Sequence, residues 1–175
     1  LAQVKGAMYR DEIAQTLESL KDMPRKIQWI LDTQTKTVQE AAEQMVDAKS
    51  FLFLGRHVGY PVAMEGALKL KEISYIHSEG YPAAEMKHGP IALIDEHMPV
   101  VVVATKESSY DKIVSNIQEV KARKGKIIAV VSEGDQVISQ MADHVMEVPE
   151  TIGVFTPVLA GAPLGLLECH MAVLR

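Results

Sequence analysis

Three unbroken apolar runs constrain this chain most. They are Phe51–Leu54 closed by Gly55, Val100–Ala104 preceded by Pro99, and Ile127–Val131. Each is too short for a free-standing helix. Each is also continuous rather than alternating, as strands are when both faces of a parallel sheet are covered. Parallel neighbours need crossover connections, and helical patterns lie between the runs. Residues 61–76 open with a proline, where its missing N–H costs nothing. Residues 108–124 open at Ser108 or Ser109 as N-cap and end in basic residues before Gly125. Shorter strands are predicted at Ser78–Tyr81 and His144–Pro149, a short helix at Val137–Met141 and a closing helix at Pro157–Leu174. The alternation predicts an α/β fold, a doubly wound three-layer sandwich around a parallel sheet. Ligands of such sheets sit at the carboxyl ends of the strands, which directs attention to the loops after Leu54, Ala104 and Val131.

Ahead of the first strand, residues 7–20 carry Met8, Ile13, Leu17 and Leu20 at helical spacing. Met23-Pro24 punctuates, and the period resumes from Ile27 to about Ala48, so one or two helices precede the sandwich. The apolar stretch 153–174 is interrupted by prolines, glycines, Glu168 and His170, and reads as a loop and a buried helix, not a membrane span.

Charge and composition exclude some functions. Lys plus Arg is 18 and Asp plus Glu is 23, a net charge of −5 with no basic cluster, which makes nucleic acid an unsuitable partner. With 47% apolar residues the chain has a core to build, against disorder. Cys169 is the single cysteine, so an intrachain disulfide framework is impossible, and it fits a reducing compartment. The six histidines include no i, i+4 pair, and no metal site is expected. Phosphate-loop, dinucleotide-fingerprint and nucleophile-elbow motifs are absent.

Two segments carry candidate chemistry. Glu65, Lys69 and Glu72 share one face of the helix 61–76. They form either a solvated ion-pair stripe or a carboxylate and an ammonium held side by side in a cleft, an arrangement that moves protons. The segment Glu79–Pro90 is long, polar and rich in titratable groups, and Gly89-Pro90 fixes a turn directly after His88. Ser108 and Ser109 stand where a helix amino end can hold a phosphate, but Glu107 beside them favours simple capping.

The combination G-A-L-K-L-K-E-I-S-Y-I-H-S-E-G-Y (66–81) with E-M-K-H-G-P-I-A-L-I (85–94) closely resembles the second sugar-isomerase (SIS) subdomain of the glutamine–fructose-6-phosphate aminotransferase family, also called glucosamine-6-phosphate synthases. F-L-F-L-G-R (51–56) and E-C-H-M-A (168–172) extend the likeness over essentially the whole chain. The resemblance implies a flavodoxin-like sandwich with a five-stranded parallel sheet at 49–175, and a helical lead-in at 1–48 from a preceding SIS subdomain. It implies an enzyme that makes glucosamine 6-phosphate and glutamate from fructose 6-phosphate and glutamine in the cytoplasm without a cofactor. By motif match Glu72 resembles the base that moves a proton between C1 and C2, Lys69 the lysine assisting it, and His88 the ring-opening histidine lent across a homodimer interface. The glutaminase domain and the first SIS subdomain, which grips the sugar phosphate, lie outside this sequence, and Thr105–Ser109 lacks the family's phosphate pattern. A chain of this extent is therefore expected to be inactive alone. The rival readings are a non-catalytic SIS module that senses a phosphosugar, and a dimerisation unit.

Overall fold

A computed structural model describes residues 3–175. Strands β1 (Ser50–Gly55), β2 (His77–Pro82), β3 (Pro99–Ala104), β4 (Lys126–Ser132) and β5 (His144–Val148) form one sheet in the order β2-β1-β3-β4-β5. Every neighbouring pair is parallel. Helices α1 (Arg10–Met45), α2 (Gly59–Ser74), α3 (Tyr110–Ala122) and α4 (Thr156–Leu174) supply the outer layers.

Side-chain alternation explains the unbroken apolar runs. Phe51, Phe53, Val101 and Val103 meet α1, α2 and α4 on one face, with Ile30, Leu70 and Leu164. Leu52, Leu54, Val100 and Val102 meet α3 on the other, with Ile113 and Ile117. Burial of both faces leaves no position for a polar residue. The two edge strands are the exceptions: β2 has the polar sequence HSEGYP ending in a proline, as suits an edge, and β5 carries His144 and Glu147.

The sheet changes winding direction between β1 and β3, whose outgoing helices take opposite faces. The turn out of β1 is tight: a Cβ on Gly55 would stand 2.2 Å from the Gly59 carbonyl oxygen. His57 in that turn takes a left-handed φ of 49°. Arg56 Nη1 donates to Asn116 Oδ1 at 3.0 Å, tying the turn to α3.

The helical lead-in is one helix, not two. Pro24 sits inside α1. A proline removes one helical N–H and frees one carbonyl, here on the side of Pro24 and Leu20, both exposed. The buried Met23 and Ile30 continue one stripe through the position, so packing overrides the break. From Met23 onward α1 shares the core of α4 and β5, while Leu17 and Leu20 stay exposed.

Residues 137–141 form a turn and no helix. Asp135 Oδ1 accepts from the Ile138 N–H at 2.8 Å, and Ile138 O accepts from Met141 and Ala142 at 2.9 Å. Five residues are too few to repay helix nucleation without a longer packed stripe. The polar segment after β2 folds into two 3-10 turns, Ala83–His88 and Pro90–Leu93. The stretch 153–174 is long and apolar enough to cross a membrane by length and composition. In the structure it is a 3-10 turn (Gly153–Phe155) followed by α4, packed against α1 and α2.

Candidate active site

Helix α2 presents the charged stripe. Lys69 Nζ donates to Glu72 Oε2 at 2.6 Å, and the two side chains are 44% and 50% exposed. The bonded carboxylate holds the Lys69 ammonium above the usual lysine range. Glu65, one turn earlier, also favours that charge through space.

The stripe borders a cleft of about 570 Å³ between α2 and α4. Gly66 lets the helices approach: a Cβ there would stand 2.9 Å from the Phe53 ring and 3.0 Å from Leu164 Cδ1. Val62, Gly161 and Leu164 make the cleft apolar, while Glu65, Lys69 and Glu168 bring charge into it.

Glu168 is the residue that sequence reasoning missed. It is only 4% exposed, on the α4 stripe that also buries Leu164, Leu167 and Met171. Burial first, then the Glu65 carboxylate, pushes its carboxyl up to about 8, while Lys69 pulls the other way. At neutral pH it is a protonated acid facing an ammonium and a carboxylate. The signal was present in the sequence, because a glutamate three and four residues from apolar neighbours on a helix lies on the buried side. In the sequence it stands out only as a break in an apolar run and as the first residue of E-C-H-M-A.

His88 is elsewhere. It ends the first 3-10 turn, whose Ala83 and Met86 are buried in the core on the α3 side of the sheet. The neighbouring Lys87 Nζ pairs with Glu119 Oε1 of α3 at 2.8 Å. The imidazole is 75% exposed, and its Nε2 lies 3.7 Å from Glu85 Oε2. Lys69 and Glu72 belong to the opposite layer, so one chain brings two of the three sequence-predicted residues together and holds the third apart.

The loops at the carboxyl ends of the strands hold different groups. Ser109 occupies the N-cap position of α3, but its hydroxyl caps nothing. Glu107 keeps Oε1 buried without a partner and Oε2 3.6 Å from His57 Nδ1, which leaves this helix end unsuited to an anion. Lys106 N–H donates to Ser132 Oγ at 2.9 Å, linking the loops after β3 and β4. A larger cavity, about 700 Å³, opens at the amino ends of β1, β3 and β4 and contains none of the three candidates. Among the described residues no group of three His, Cys, Asp or Glu side chains is placed to hold a metal ion.

The family follows from comparison with known proteins. Residues 44–174 match the SIS domain family. The chain belongs to that family. It is 53% identical over 176 residues to the glutamine–fructose-6-phosphate aminotransferase (isomerizing) of Chlorobaculum tepidum, covering 100% of this chain and 28% of that protein. The enzyme of the same name from Bacteroides thetaiotaomicron is 53% identical over 175 residues, again 28% of its length. The C-terminal domain of glucosamine-fructose-6-phosphate aminotransferase from Francisella tularensis superposes with a TM-score of 0.90 at 38% identity, over 99% of this chain and 48% of that one. The sugar isomerase domain of an RpiR transcription factor from Sphaerobacter thermophilus shares the fold alone, with a TM-score of 0.76 at 17% identity over 90% of this chain and 89% of its own. This SIS chain thus spans just over a quarter of the length of the curated relatives it matches.

Proposed function

We propose that this chain is the second SIS subdomain in the isomerase half of an enzyme that makes glucosamine 6-phosphate and glutamate from fructose 6-phosphate and glutamine. The observation that carries the reading is the Lys69–Glu72 pair at 2.6 Å beside the α2–α4 cleft, in a chain 53% identical to aminotransferases of that name. In this reading residues 1–48 lead in from a preceding subdomain and 49–175 form the domain. A glutaminase domain and a first SIS subdomain complete the enzyme.

The chemistry is a C1–C2 proton shift in an open-chain sugar phosphate after ammonia has condensed at C2. Glu72 takes the proton from C1, the electron pair left behind forms the C1–C2 double bond of an enamine, and the C2=N π pair moves onto the nitrogen, which gains a proton balanced by the one that O1 later gives up. Glu72 then returns the proton to C2, and loss of the O1 proton leaves the C1 carbonyl of the aldose. Half exposure suits this role, since the carboxylate must reach two adjacent carbons. Lys69 stays an ammonium throughout, orients Glu72 and offsets charge as the enamine forms.

His88 acts first, as acid and base on the ring oxygen. Its separation from Lys69 and Glu72 within one chain supports a homodimer in which each subunit lends this exposed imidazole to its partner. The isolated chain is expected to make no glucosamine 6-phosphate.

Calorimetric titration of the full-length protein with fructose 6-phosphate and with glucosamine 6-phosphate tests the reading. Binding of either, weakened by Glu72→Gln, is the expected result. Absence of any heat with either sugar phosphate would leave a dimerisation unit instead.

A further inference from the structure

Glu168 has no part in the reaction as written, yet it reaches the same cleft from the facing helix. Burying a carboxyl is costly unless something compensates it. Among the described residues no ion pair within 4 Å compensates this one, and the nearby ammonium of Lys69 is bonded to Glu72. The charges that act on Glu168 are Glu65 and Lys69, both on α2. The other elements packed on α4, namely α1, β4, β5 and the turn at 153–155, bring none that acts on it.

The cleft therefore holds one ammonium, Lys69, and two carboxyls, Glu65 and Glu168, and the ammonium is bonded to Glu72. We propose that Glu168 is a positioning residue for the Lys69–Glu72 pair, acting from across the cleft as a second carboxyl partner for the Lys69 ammonium. The proposal rests on the functional reading above and extends it to a residue on another helix.

The mechanism is a competition. While Glu168 is protonated it attracts the ammonium weakly, and Lys69 stays on Glu72 at 2.6 Å. Once Glu168 ionises, a second anion faces Lys69 from a less hydrated site, and the ammonium divides itself between the two carboxylates. Lysine suits this role because its charge sits on a flexible four-carbon stem with three donors. The like charge of Glu65 and the burial of Glu168 both oppose ionisation, so at neutral pH Lys69 remains on Glu72.

The test is direct observation of Lys69 by NMR in this chain between pH 6 and 10, following its side-chain nitrogen and ε-carbon. The wild type is expected to show a step in the Lys69 resonances with a midpoint near 8, the value of the Glu168 carboxyl. Glu168→Gln is expected to abolish the step, and Glu65→Gln to keep it at a lower midpoint. A flat Lys69 response in the wild type, or an unchanged step in Glu168→Gln, overturns the proposal. If Glu168→Gln does not fold, an unmoved midpoint in Glu65→Gln overturns it equally.

In the full-length enzyme, Glu168→Gln is expected to remove the limb of the kcat profile centred near 8 while KM for the sugar phosphate stays within about twofold. A purely structural role would scale kcat at every pH alike, which also overturns the proposal. The Lys69 step does not depend on turnover. Its presence alongside normal activity of Glu72→Gln would therefore sink the catalytic reading and leave the coupling standing.

Discussion

Lys69 Nζ lies 2.6 Å from Glu72 Oε2, one helical turn apart on the face of α2 that borders the α4 cleft. On an ordinary solvated face such a pair contributes little. Here the same ammonium is also acted on through space by Glu65 and by the buried Glu168. Lys69→Met is expected to lower the isomerase kcat of the full-length enzyme by about 10-fold to 10²-fold, less than the roughly 10²- to 10⁴-fold that a group moving the proton itself contributes. Steady-state kinetics with fructose 6-phosphate checks this, and an unchanged kcat would remove Lys69 from the mechanism.

Glu168 makes stability depend on pH in a definite sense. Its carboxyl titrates near 4.5 when unfolded and near 8 when folded, so between these values the native state binds the extra proton. Stability therefore falls as pH rises from about 4.5 to about 8 and levels off above. Glu168→Gln removes this contribution. Its melting temperature is expected to exceed that of the wild type by a margin that grows from pH 5 to 8, and thermal scans with parallel pH dependences would contradict the assignment.

Burial acts on His144 in the opposite sense. It lies on β5 at 9% exposure, with Nε2 3.2 Å from Gln44 Oε1 of α1, and desolvation holds its imidazole below the usual 6.5. The unfolded chain then binds more protons just below pH 6.5, so this residue withdraws stability as the solution is acidified. Replacement by Gln, which keeps a polar group facing α1, is expected to flatten the acid limb of the stability profile in denaturant titrations at pH 5–7.

Tyr110, at the start of α3, donates its hydroxyl to Asp135 Oδ2, and Oδ1 of that carboxylate accepts the Ile138 N–H. Asp135 is 2% exposed, and burial together with this bond pushes the phenol well above its ordinary range. Tyr110→Phe leaves a buried carboxylate oxygen unpaired and is expected to cost about 1–3 kcal/mol in urea unfolding. A loss under 0.5 kcal/mol would mean that water replaces the hydroxyl, at the lower bound of a net hydrogen bond of about that size.

Gly55→Ala tests the turn that carries α2 into place. The added Cβ would meet the Gly59 carbonyl at 2.2 Å, backbone against backbone with no side chain to yield. A destabilisation of at least about 3 kcal/mol is expected. A smaller loss with native-like spectra would show that the β1–α2 turn relaxes.

Much of this was legible because the runs Val100–Ala104 and Ile127–Val131 are covered on both faces, which forces the pattern that marks a parallel strand. Pro24 was misleading because the cost of a proline depends on whether its freed carbonyl faces solvent, a tertiary fact. The 137–141 turn failed as a helix because five residues do not repay nucleation, even with Asp135 accepting the Ile138 N–H as a cap would. Motif singles out Glu72, Lys69 and His88, but that His88 stands in the layer opposite Lys69 and Glu72, with the sheet between them, was not legible. Glu168 needed the facing helix α2 before its burial acquired a meaning.

The central claim is that Glu72 carries the proton between C1 and C2. The most direct measurement is sugar-phosphate isomerisation by the full-length enzyme in deuterated water, comparing wild type with Glu72→Gln and following both turnover and deuterium at C2 of the product. Glu72→Gln is expected to lose at least about 10²-fold in both, while glutamine hydrolysis persists and sugar-phosphate binding is weakened but not lost. Near-normal turnover with unchanged labelling in Glu72→Gln would contradict it.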